Sequence, residues 1–189
     1  MNTPWGKTDS VTKIQKGVSW VSTPGHGGFM ITRKAAETFL SPEAISRAEA
    51  YGQNYLAFEE DCLASLVLWE HSNDVWAETF FNEKDNVQHL FLSISRWNPD
   101  YFREKGITPD PAGEAAWLED KETDRLRKAK SPELIVSAFG DWADWVPAGQ
   151  VGVITADDQR HLLPADLYPT LGYRLSNYPL SQVIYAGRA

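Results

Sequence analysis

Ser22-Thr23-Pro24-Gly25-His26-Gly27-Gly28-Phe29 is the stretch from which the fold is read. Three glycines and a proline surround one histidine, so the backbone must turn sharply here or approach something closely. On its N-terminal side, Val11 to Ile14 and Val18 to Val21 alternate apolar with polar residues around Gly17, which predicts a hairpin or two consecutive edge strands. On its C-terminal side, Gly28 to Ile31 predicts a third strand. The glycine-rich segment therefore reads as a tight strand connection or as a loop whose backbone N–H groups hold an anion, and not as the start of a phosphate-binding helix. It lacks the Lys-Ser/Thr pair of a P-loop, and the dinucleotide fingerprint would need a helix to follow.

Helical patterns come next. Thr32 can cap a helix from Arg33 to Leu40. Ser41-Pro42-Glu43 is an N-cap serine, a first-turn proline and an acid, and predicts a second helix whose buried face is Ile45, Ala48 and Tyr51, stopped by Gly52. A third helix is expected from Glu59, with Glu59, Glu60 and Asp61 at the positive end of its dipole. Asp74 to Phe81 predicts a helix or irregular turn. Val87, Leu90, Phe91, Ile94 and Trp97 mark an amphipathic helix ended by Asn98-Pro99. Gly106 to Gly113 reads as a loop, and Glu114 to Lys130 as a charged surface helix. The chain then returns to strands at Leu134 to Phe139, Val151 to Thr155, His161 to Leu163 and Gln182 to Tyr185, with a short helix from Pro164 to Leu171. The expected architecture is a single α+β domain over residues 1–189. In it, a mixed or antiparallel sheet from N- and C-terminal strands packs with central helices, and a helical insertion spans about 59–130.

Composition narrows the function classes. The 23 aromatic residues supply large surfaces to bury and exclude a disordered chain. No apolar run reaches the roughly 20 residues of a membrane span, and the N-terminus lacks a signal-peptide pattern. A single cysteine makes no internal disulfide, so the reading is a soluble protein of the reducing cytoplasm. The net charge of −8 disfavours direct nucleic-acid binding and suits a partner with a basic surface.

Two segments carry candidate chemistry. His26 is a candidate acid, base or ligand, and Glu59-Glu60-Asp61-Cys62 offers three carboxylates and a thiol. Three consecutive residues cannot all converge on one point, so at most two of the acids can join His26. A metal would need a further ligand such as His71 or His89, and neither H-E-x-x-H nor C-x-x-C spacing occurs. No metal and no cofactor are therefore expected. For Cys62, a helix N-terminus would favour the thiolate, but the adjacent acids oppose it more strongly, which predicts a structural cysteine over a nucleophile. The Asp-Trp repeat Asp141-Trp142-Ala143-Asp144-Trp145 reads either as core tryptophans in a covering loop or as a contact patch. Trp117 on the charged helix is a further candidate contact.

Thr3-Pro4-Trp5-Gly6, the glycine-histidine segment, Glu59-Glu60-Asp61-Cys62, Trp145-Val146-Pro147-Ala148-Gly149-Gln150-Val151-Gly152-Val153 and Leu163-Pro164-Ala165-Asp166 together resemble a family of uncharacterised proteins encoded by phages, plasmids and other mobile elements. The resemblance implies an accessory role and no defined activity. Two functions stay open. One is a non-enzymatic protein that binds and inhibits a host complex, such as a CRISPR effector or restriction system. The other is a small hydrolase or transferase using His26 with Glu59, Glu60 or Asp61, and Cys62 as a lesser nucleophile.

Overall fold

The computed structural model describes residues 2–80 and 86–189. They form an α+β fold with antiparallel sheets, and the chain divides into two compact units, residues 1–118 and 119–189. No helix among the described residues is long and apolar enough to cross a membrane.

The first unit is built on seven strands and the helices that cover them. Strands β1 (Asn2–Thr3) and β2 (Gly6–Lys7) form a small ribbon. Strands β3 (Ser10–Gln15), β4 (Val18–Ser22), β5 (Gly27–Thr32), β6 (Glu49–Tyr51) and β7 (Tyr55–Glu59) form an antiparallel sheet in the order β3-β4-β5-β7-β6. Residues alternate across it as a strand requires. Phe29, Ile31, Leu56 and Phe58 point into the main core, whereas Val21, Met30 and Ala57 form a second cluster with Trp5, Tyr51 and Tyr55. The main core also takes in residues of α1 (Arg33–Phe39), α2 (Pro42–Ile45), α3 (Ala64–Glu70), α4 (Asn86–Trp97) and α5 (Pro99–Glu104).

Several predicted elements are present. Thr32 accepts from the Ala35 amide and Ser41 from the Ala44 amide, the two expected caps. On α4, Leu90 and Ile94 are buried, whereas Val87 and Trp97 are exposed. Other elements differ. The helix after Ser41 ends at Ile45, because Glu49–Tyr51 instead pairs with β7 across a turn in which Gly52 takes φ +57°. No helix begins at Glu59. That residue closes β7, and a turn carries Glu60 to Leu63 before α3 starts at Ala64. Ala77–Phe80 forms a short 3-10 helix, and Phe81 lies outside the described residues. The helix expected from Glu114, α6 (Pro111–Lys128), starts three residues early, inside the predicted loop. The dividing point between the units falls within it.

A polar network ties α2, α3 and α5 together. Glu70 accepts from the Ser41 amide at 2.8 Å, from the Ser41 hydroxyl, and from the Tyr101 hydroxyl at 2.8 Å. Beside it, Lys105 lies 2.9 Å from Glu43 and holds the Glu43 carboxyl down at about 2. A carboxyl depressed by folding contributes stability that is complete above its unfolded value, near 4.5, and is lost as the pH falls toward 2. The melting-temperature gap between wild type and Lys105→Met is therefore expected to be open at pH 6 and to close near pH 2. A gap that is the same at both pH values would contradict this reading.

The second unit carries the later strands β8 (Ile135–Phe139), β9 (Gln150–Thr155), β10 (Gln159–Pro164) and β11 (Ile184–Arg188), ordered β11-β10-β9-β8. The expectation of one sheet shared by N- and C-terminal strands is thus corrected, since each set closes on its own core. Ile135, Val153, Leu163 and Tyr178 are buried together here. The β9–β10 hairpin is as predicted, with Asp158 at φ +65° in its turn, a conformation that aspartate tolerates better than most residues. The segment after Pro164 forms turns in place of the predicted helix. Along the second half of α6, Arg125 pairs with Glu122, Arg127 with Asp124, and Arg174 reaches Glu119, so much of this charge is satisfied within the unit.

Candidate functional site

The glycine-histidine segment is the connection between β4 and β5. Ser22 and Gly27 are the last cross-strand partners, and Thr23 to His26 turns the chain. The Thr23 amide and hydroxyl both donate to the His26 carbonyl, each at 2.7 Å, and the His26 amide donates back to the Thr23 hydroxyl at 3.1 Å. The His26 backbone is thereby pinned. Gly28 takes φ +149°, and a Cβ there would lie 2.2 Å from the Phe58 carbonyl oxygen and 2.7 Å from the Trp5 ring. At Gly27 the corresponding neighbour is the Glu60 carboxylate, at 2.6 Å. These glycines exist because a strand, an indole and a carboxylate come close.

Pairing of β5 with β7 sets Gly28 opposite Glu59, and the Glu60 amide donates to the Gly27 carbonyl at 3.0 Å. Three separated motifs, Trp5, His26 to Gly28 and Glu59 to Glu60, thus meet at one end of the sheet. The His26 Nδ1 lies 3.3 Å from Glu59 Oε1, and one donor atom each from His26, Glu59 and Glu60 fall within 4.8 Å of one another. The His26 side chain is 57% exposed and that of Glu59 only 18%. Glu59 Oε2 accepts from the Asp61 amide at 2.8 Å and from the Cys62 thiol at 3.3 Å. Oε1 is buried and, among the described residues, makes no hydrogen bond.

Of the predicted residues, the structure brings together His26, Glu59 and Glu60. Asp61 contributes its backbone amide and stays outside the trio. His71 is engaged elsewhere: its ring nitrogens lie 2.7 Å from the Asp74 carboxylate and 2.7 Å from the Phe39 carbonyl. Cys62 touches Glu59, but burial, then the hydrogen bond and charge of Glu59, push its thiol up to about 12. The thiolate fraction at pH 8 is then roughly a thousandfold below that of a free cysteine. Native protein should accordingly react slowly with iodoacetamide, and Glu59→Gln should speed the reaction. Labelling as fast as in denatured protein would contradict this environment.

In the second unit, the Asp-Trp repeat follows β8 as two successive turns, with the Ala143 amide bound to the Gly140 carbonyl and the Val146 amide to that of Ala143. The two tryptophans have different fates. Trp145 lies over Gly152, where a Cβ would come within 2.3 Å of its ring, and the Arg160 guanidinium stacks on it at 5.2 Å. Trp142 is 74% exposed, with its ring 5.8 Å from Phe139 and its edge against Gly140. Asp141 and Asp144 are exposed beside it. Trp117, in the first unit, is half-buried with the Arg103 guanidinium 5.7 Å from its ring. Phe139 and Arg160 escaped the sequence reading. Phe139 was visible only as the end of a strand, and the place of Arg160 depends on cross-strand register.

The chain belongs to the family defined by a domain of unknown function, DUF7007, whose model matches residues 1–128. No curated protein and no solved structure matches it. The matched region contains the His26 cluster, and the Asp-Trp segment lies beyond it.

Proposed function

We propose that this DUF7007 protein is a non-enzymatic binding protein that docks on a basic protein surface through the Asp141 to Trp145 segment. The exposure of Trp142 carries the reading. A 74%-exposed indole, braced by Phe139 and flanked by the exposed carboxylates of Asp141 and Asp144, has the make-up of an interface anchor with an acidic rim. The net charge of −8 would speed encounter with a basic partner. In the mobile-element setting implied by the sequence resemblance, that partner is a host defence complex, and binding would inhibit it. The experiment is capture from bacterial lysate with wild type, Trp142→Ala and the double variant Asp141→Lys/Asp144→Lys, compared protein by protein. A stoichiometric partner held by wild type and lost from both variants supports the reading. A partner held equally by all three refutes it.

The convergence of His26 with Glu59 favours a second reading, a small hydrolase or transferase. His26 would serve as acid or base, with Glu59 orienting it. The raised thiol disfavours Cys62 as the nucleophile and keeps it the lesser branch of this reading. On this reading, His26→Ala abolishes turnover in a substrate screen while partner capture by wild type fails.

A further inference from the structure

We infer that His26, Glu59 and Glu60 bind a first-row divalent cation, with Zn²⁺ the best fit. The inference concerns the first unit and stands whether or not the Asp-Trp segment binds a partner. One imidazole nitrogen and two carboxylates are the donor types that zinc accepts, and three protein ligands with open remaining positions is the pattern of a reactive rather than a closed structural site. The spacing agrees. Ligands about 2.1 Å from a tetrahedral ion lie about 3.4 Å apart, and His26 Nδ1 stands 3.3 Å from Glu59 Oε1.

The hydrogen bonding of Glu59 points the same way. Glu59 Oε1 is buried, and among the described residues it makes no hydrogen bond, its contact with His26 Nδ1 being a 3.3 Å ion pair without hydrogen-bond geometry. A buried acceptor without a hydrogen bond is costly, and a cation between the two groups would satisfy it more fully than the ion pair does. The carboxylate is not free to turn away. Its other oxygen is held by the Asp61 amide and the Cys62 thiol, the His26 backbone is held by Thr23, and the Glu60 amide is held by the Gly27 carbonyl. Such supporting bonds orient ligands before the ion arrives. The exposed faces of His26 and Glu60 leave room for water or a substrate oxygen on the ion.

The test is calorimetric titration of the full chain with ZnCl₂, comparing wild type, His26→Ala, Glu59→Gln and Glu60→Gln, with His89→Ala as a control at another exposed histidine. One ion per chain is expected, weakened about tenfold or more in each of the three site variants and unchanged in the control. Melting curves without metal identify any variant that fails to fold, and the near-isosteric Glu59→Gln and Glu60→Gln keep the test open if His26→Ala is one. The absence of stoichiometric binding by wild type would overturn the inference. So would binding that folded Glu59→Gln and Glu60→Gln leave intact.

Discussion

Gly28→Ala is expected to destabilise the first unit by roughly 3–5 kcal/mol, the combined cost of a strained backbone and an overpacked contact. The new methyl would meet the Phe58 carbonyl oxygen at 2.2 Å and the Trp5 ring at 2.7 Å, and φ at this residue is +149°. Neither neighbour can give way cheaply, since Phe58 is fully buried in the β5–β7 pair and Trp5 packs with Met30 and Ala57. Gly25→Ala is the matched control. It lies two residues from Gly27 in the same segment, yet its Cβ would meet nothing within 4 Å. Thermal or urea unfolding of both variants checks the prediction. Similar small losses in the two would mean that Gly28 is not the point where β5, β7 and Trp5 lock together. Because Gly28 is paired with Glu59, the same variant should also separate His26 from the carboxylates and lose the cation.

Trp142→Ala is expected to weaken the partner complex by about 2 kcal/mol or more, roughly thirtyfold in Kd, while leaving the melting temperature nearly unchanged. The two halves of this prediction come from one fact. A side chain 74% exposed adds little to folding, and a large exposed indole has the most to gain by burial against another surface. Trp145→Ala should behave in the opposite way. That ring covers Gly152 and carries the Arg160 guanidinium, so its loss should lower stability first. Measuring melting curves and affinity for both variants against the captured partner separates an anchor from a core residue.

Local patterns were legible wherever one face of an element is buried and the other wet. The β3-β4-β5 meander follows from alternation around Gly17 and from the glycine-rich turn, and the caps at Thr32 and Ser41 follow from side-chain chemistry. The strand β7 was not legible. Leu56, Ala57 and Phe58 are all buried, so the strand shows no alternation, and the acids after it looked like a helix start. Tyr51 fits a helical face as well as a short edge strand, and pairing with β7 decides between them. The candidate site was half legible. His26 and the acidic run stand out as residues, but their meeting depends on β5 pairing with β7 across two intervening helices and β6. The contrast between Trp142 and Trp145 was not legible at all, because identical Asp-Trp pairs are separated only by what lies across the sheet, Gly152 and Arg160.

The most direct measurement of the binding claim is site-specific photocrosslinking in bacterial cells. Trp142→benzoylphenylalanine is compared with Leu180→benzoylphenylalanine, a position 87% exposed in the same unit. A discrete adduct with one protein from position 142, absent from position 180, is the predicted result. No adduct from position 142, or the same adducts from both positions, would contradict the proposal that this segment is a docking surface.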